Sequence, residues 1–216
     1  MSTASIDQIT LADEPARWEA LGFTLADGAC QLGSVIVAFT GQGKGIAGWS
    51  LRGVSSTELD GMATTLSQRP EPGSPPEHAN GALAIDHVVA MSPSLDRTVA
   101  ALGAAGLDLR RVREEQTPAG APRQAFFRLG EVILEVVQEP GEVVDSHGGP
   151  DRPARLWGLA LSFGDLERAV EQLGEHASPV RPAVQAGRQI ATLRRSAGLS
   201  VPLALMSRAE RVGAAP

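Results

Sequence analysis

Tyrosine is absent from this chain of 216 residues, and cysteine and lysine occur once each, as Cys30 and Lys44. A single cysteine excludes an intrachain disulfide, and with it a small disulfide-stapled scaffold. Cations are few: 19 Lys and Arg stand against 25 Asp and Glu, a net charge of −6. Nucleic-acid binding needs clustered cations to replace phosphate counterions, so no nucleic-acid partner is expected. No run of about 18 apolar residues occurs, which excludes a spanning helix and a membrane partner. Residues 1–7 carry no basic n-region and no long apolar stretch, so no signal peptide is read and a cytoplasmic location is expected. The loop Gly41-Gln42-Gly43-Lys44-Gly45 lacks the Lys-Ser/Thr ending of a phosphate-binding loop and reads as a hairpin turn. No Gly-x-Ser-x-Gly elbow is present. Aromatic residues are only 4%, yet hydrophobic residues reach 43%, enough for a real core.

What the chain does have is internal repetition. Ile6-Asp7-Gln8-Ile9 parallels Ile85-Asp86-His87-Val88, and each leads to a helix ending in a Gly–apolar step, Gly22-Phe23 and Gly106-Leu107. Glycine suits a helix C-terminus. Each copy then reaches a hairpin with Leu-Gly at its turn, Leu32-Gly33 and Leu129-Gly130. A further copy follows at an offset of 71: His87 falls on Gly158, Leu95 on Leu166 and Arg97 on Arg168. Leu166, Ala169, Val170 and Leu173 form one helical stripe. Leu199, Val201, Leu203 and Leu205 alternate as a half-buried strand. A partial copy spans residues 45–66, with a strand at 46–51 and a helix at 58–66. The Pro/Gly-rich stretch at 68–82 cannot hold an interior strand or helix. Residues 1–67 thus hold one βαβββ unit and a truncated second one. A linker at 68–82, paired units at 83–207 and a tail at 208–216 follow, with a loop at 140–153 between the paired units. The expected class is α+β, with repeated βαβββ units forming paired, curved, mixed sheets.

The segments 84–89, 95–97, 123–130 and 131–137 resemble the vicinal oxygen chelate superfamily: glyoxalases, bleomycin-resistance proteins and extradiol dioxygenases. The resemblance is strongest over 83–207. It implies a glyoxalase-like fold with a cup at those residues, and a homodimer. Such a fold hosts many chemistries. Metal-using members take His or Gln from a unit's first strand and Glu from its last. His87 and Glu135 match, and strand parity puts each on one face with its i±2 neighbours. Gln8 matches the His position of the first unit. Gly48 and Gly158 stand there in the other two, and Leu203 and Ala38 stand at the Glu position. Two ligands are too few for a metal site. The cup is therefore expected to be metal-free. A metal, if held, would be Zn, Mn, Fe or Ni on His87 and Glu135, with a third ligand from outside such as Gln8, His147 or another subunit.

His87 and Glu135 are also the catalytic candidates. An imidazole beside a carboxylate carries protons near neutrality, and a carboxylate in so apolar a strand needs a partner. Phe127 and Trp157 are candidates to line an apolar pocket, along with Phe126 and Trp49, although aromatics are more often core. Arg123, Arg128, Arg188, Arg194 and Arg195 lie near middle strands, where one or two could hold a carboxylate or phosphate; Arg123 is the leading candidate. The expected function is binding of a small organic molecule in the C-terminal cup and, if the protein is an enzyme, lyase, isomerase or epimerase chemistry. The alternatives are a non-catalytic drug- or metabolite-binding protein of resistance type, and a metal-dependent glyoxalase-like or dioxygenase-like enzyme.

Overall fold

The computed structural model describes residues 4–116 and 120–208. The first unit runs through β1 (Ser5–Leu11), α1 (Pro15–Ala20), β2 (Leu25–Ala26), β3 (Ala29–Leu32) and β4 (Val35–Phe39). β5 (Ile46–Arg52) and β6 (Thr64–Leu66) follow. The next unit comprises β7 (Ala82–Ser92), α2 (Leu95–Ala104), β8 (Asp108–Arg113), β9 (Gln124–Leu129) and β10 (Val132–Gln138). After α3 (Gly141–Ser146) come β11 (Arg155–Phe163), α4 (Leu166–Leu173), β12 (Arg181–Pro182), β13 (Gln189–Thr192) and β14 (Leu203–Ser207). Among the described residues, no helix is long and apolar enough to cross a membrane.

Two mixed sheets result, as the α+β reading expects. One has the order β2-β3-β4-β1-β5-β6, the other β12-β13-β14-β11-β7-β10-β9-β8. Within each unit the last strand pairs parallel with the first. Between units the first strands pair antiparallel, β1 with β5 and β7 with β11. Val88 lies opposite Leu159, with His87 opposite Ala160 and Val89 opposite Gly158. This is a local two-fold whose self-paired residues stand 71 apart, the spacing of the sequence repeat.

Alternation sorts the strand residues into two faces. β10 buries Val132, Leu134 and Val136, while Ile133, Glu135 and Val137 are partly open on the other face. α2 covers the buried face of β8, β9 and β10 with Leu95, Thr98 and Leu102. α4 covers β13 and β14 with Leu166, Ala169 and Leu173. Its N-cap Asp165 accepts from the Arg168 amide at 3.0 Å, a contact worth about 1 kcal/mol. The two sheets share one core and interlock at their hairpins. The turn glycine Gly33 (φ 63°) faces Ala84 of β7, and its counterpart Gly130 (φ 62°) faces Ser5 of β1. A Cβ at Gly33 would meet that of Ala84 at 2.8 Å, so glycine serves both the left-handed turn and the close approach.

The truncated unit differs from the reading of its sequence. Residues 58–66 form no helix. Asp60 and Gly61 take positive φ (53° and 79°) and turn the chain into β6, which pairs parallel with β5. β6 therefore stands where β14 stands beside β11, and the unit has lost its helix and middle strands but kept its last strand. The turn is fixed from outside: Arg97 Nε donates to Asp60 Oδ1 at 2.7 Å, Thr98 also binds Asp60, and Gly61 abuts Pro153. The loop at 140–153 contains α3. The last strand begins only at Leu203, because Pro202 has no N–H to give the ladder. The stretch 67–81 has no strand or helix but is docked. His78 Nδ1 accepts from the Thr24 amide at 3.0 Å, its Nε2 lies 3.0 Å from Gln31 O, and Asn80 donates to Leu21 O at 2.9 Å. Beyond Arg208, the tail lies outside the described residues.

Candidate functional site

On the face of β7–β10 away from α2 lies a cavity of about 220 Å³. His87, Phe126, Ile133 and Glu135 line it together with Asp86, and Arg110, Arg111 and Gln185 complete it. The volume is below the usual range of roughly 300–1,000 Å³ for ligand pockets, which suits a small molecule.

Two β-bulges shape this lining. Between Ile85 and His87 the register with β11 slips by one residue, leaving Asp86 unmatched. A bulge re-aims side chains, so consecutive Asp86 and His87 both reach the cavity. The same slip occurs at the matching place in each unit, leaving Asp7, Ala47 and Trp157 unmatched. In β8 a slip between Leu109 and Arg111 brings consecutive Arg110 and Arg111 to the cavity.

Hydrogen bonds fix the pair at its centre. Arg188 grips Asp86 through two bonds, Nη1 to Oδ2 at 3.0 Å and Nη2 to Oδ1 at 2.7 Å. Arg188 is itself anchored by donating from Nε and Nη2 to Ser207 O, at 3.0 and 2.7 Å. Burial pushes the Asp86 carboxyl up. Hydrogen bonds from His87 and Arg188, with the Arg188 charge, outweigh it and hold the group at about 2. Asp86 is thus an anion at neutral pH, and His87 Nδ1, 3.0 Å from Asp86 Oδ2, donates its proton there. The ring then presents Nε2 toward Glu135 Oε2 at 3.6 Å. That gap exceeds a hydrogen bond. Burial raises the Glu135 carboxyl above its ordinary range, with the His87 and Arg113 charges opposing. Glu135 also accepts from Gln124 Nε2, whereas Gln124 Oε1 is buried without a partner among the described residues.

The residues do not fit a metal. Among the described residues no three His, Cys, Asp or Glu side chains gather as a ligand set. The two-fold carries His87 onto Gly158. Because Glu135 lies opposite Val89 and Ala204 opposite Ala160, it carries Glu135 onto Ala204, not Leu203, which is core. Neither Gly158 nor Ala204 can ligate through a side chain. Gly158 also has no room: a Cβ there would lie 2.9 Å from Pro202 O. Gly48 faces Ala63 O in the same way, at 2.8 Å.

Of the residues singled out from the sequence, the structure brings His87, Glu135 and Phe126 together at the cavity, with Arg188 behind them on Asp86. Gln8 lies in the other sheet, donating to Thr10 Oγ1 at 3.1 Å and accepting from Arg69 at 2.8 Å. His147 caps α3, within 2.9 Å of Val143 O. Phe127 is fully buried in the core; its neighbour Phe126 lies opposite Glu135 and lines the cavity. Arg123 binds Glu114 and Asp96 at the surface, outside the cavity. Trp157 occupies the bulge that matches Asp86, 41% exposed and outside the cavity lining. Asp86, Gln124, Arg110 and Arg111 had not been singled out.

Neither a family model nor a curated protein matches the sequence. Solved structures do. A variant of 4-hydroxymandelate synthase from Streptomyces coelicolor superposes with a TM-score of 0.64 at 14% identity, over 98% of this chain and 94% of that one. A xylose isomerase-like TIM barrel/4-hydroxyphenylpyruvate dioxygenase fusion protein gives 0.60 at 12% identity, and the chain spans only 50% of it. Methylmalonyl-CoA epimerase from Mycobacterium tuberculosis gives 0.47 at 18% identity, over 60% of this chain and 95% of that one.

Proposed function

We propose that this chain, whose fold is that of the vicinal oxygen chelate superfamily, binds a small organic molecule in its C-terminal cup and moves a proton on it without a metal. The observation that carries this reading is the ordered line Arg188–Asp86–His87–Glu135 ending in the cavity. It has the parts of an oriented general base: a carboxylate fixes the ring by Nδ1, and Nε2 is left to react. His87 Nε2 takes a proton from a C–H or O–H of the bound molecule, and Glu135, whose proton burial favours, returns one to another atom. The proton taken up by His87 is returned to Glu135 by way of solvent, so the pair resets without an external reductant or oxidant. This is the chemistry of a lyase, isomerase or epimerase.

The test is isotope exchange. Ligands found by thermal shift are incubated with the protein in D₂O and followed by proton NMR. Deuterium uptake that His87→Ala and Glu135→Gln both abolish, with the fold intact, is the expected result. A ligand that binds but never exchanges would favour the non-catalytic binding protein instead, a reading supported by the absence of ligating residues at Gly158 and Ala204.

A further inference from the structure

The mouth of the cavity carries a charge that the proton-transfer pair does not use. The bulge in β8 turns both Arg110 and Arg111 to the cavity, which an unbroken strand would not do. Arg110 is partnered, with Nη1 3.0 Å from Asp108 Oδ2. Arg111 has no acidic partner among the described residues. Its guanidinium lies over the Phe126 ring, 5.0 Å from the centroid. That stacking holds the side chain in place while leaving its N–H groups free. Beneath it, Phe126 and Ile133 form an apolar wall. The negative charge of Asp86 on the floor is matched by Arg188.

We infer that the ligand of this cup is a small carboxylate, its anionic group held at the mouth by Arg111 with Arg110 beside it, and its apolar body against Phe126 and Ile133. This rests on the reading of the cup as a ligand site, and it names the substrate class. A guanidinium meets a carboxylate through two parallel hydrogen bonds, which sets the orientation of the molecule. The atoms farthest from the carboxylate then face His87 and Glu135.

Calorimetric titration with benzoate and with benzamide, which differ in charge but hardly in shape, tests the assignment. Benzoate is expected to bind at least about tenfold more tightly, the scale of one charge-assisted contact. Arg111→Gln should bring benzoate down to the level of benzamide. Arg111 is exposed on a strand at the sheet edge, so its melting temperature should not change. Arg128→Gln, outside the cavity, should leave both affinities as they were. Equal binding of the two compounds, or benzoate binding untouched by Arg111→Gln, would overturn the inference while leaving the cup a ligand site. Inorganic phosphate binding more tightly than benzoate would overturn the choice of carboxylate. Loss of isotope exchange alone would strike the proton-transfer reading and not this one.

Discussion

Replacing Gly158 by alanine probes why the second half of a metal site is closed. Gly158 does not sit at positive φ, so alanine is sterically free in its own backbone. On that ground alone the change would stabilise by about 0.4–1 kcal/mol, through the unfolded chain. The new Cβ, however, would lie 2.9 Å from Pro202 O and 3.3 Å from Pro202 Cβ. The carbonyl cannot simply withdraw, because it accepts from the Leu159 amide at 3.0 Å where β11 meets the entry to β14. Overpacking of this kind costs about 1–3 kcal/mol. The expected net loss is therefore about 1–2 kcal/mol, read as a lower urea midpoint at unchanged slope, or as a melting temperature lower by about 2–8 °C. Gly48→Ala should behave alike, since Ala63 O stands 2.8 Å from its Cβ position in the other sheet. The double variant should be additive within about 0.5 kcal/mol. A Gly158→Ala protein as stable as the parent would refute the steric argument. So would a Gly158→His protein that folds and holds one transition-metal ion per chain.

Other outcomes follow from single contacts. Asp86 has its folded pKa held near 2, below the unfolded value of about 3.9, so its contribution is present above about pH 4 and is lost as pH falls toward 2. Asp86→Asn should cost roughly 2 kcal/mol at pH 7 and flatten the acid limb of the denaturation curve over that window. Burial pushes His78 below the ordinary imidazole range, with its hydrogen bond to Gln31 O opposing. The stability it adds is complete above about pH 6.5 and declines as pH falls below that, and His78→Gln should remove this slope. Phe127→Ala should cost about 3–5 kcal/mol, as for a fully buried ring, whereas Phe126→Ala should cost under about 1.5 kcal/mol and show mainly in ligand titrations.

The repeats were legible because duplicated strands carry duplicated patterns: the offset of His87 from Gly158 reappears as the register of β7 against β11. The helix at 58–66 was misread for a physical reason. Leu59 and Met62, both buried, are spaced as on a helix, but Asp60 and Gly61 between them turn left-handed, held by contacts from Arg97 and Pro153 that lie far along the chain. Parity placed Glu135 in the cup. Carried through the Gly130 turn it would also have chosen Phe126 over Phe127, since Phe126 is the residue opposite Glu135. Leu203 and Ala204 are separated by the same reasoning. The bulges at Asp86 and Arg110 were not legible, because an inserted residue leaves no mark in the alternation, and they are what bring Asp86 and Arg110 to the site.

Asp86 orients His87 so that Nε2 is the nitrogen free to react. Long-range proton–nitrogen NMR of the imidazole rings, with His87 assigned by its absence in His87→Ala, reads this directly and needs no ligand. The neutral ring is expected to carry its proton on Nδ1 and to leave Nε2 bare, with Asp86→Asn disturbing the pattern. A neutral ring with its proton on Nε2 would show that Asp86 does not orient His87.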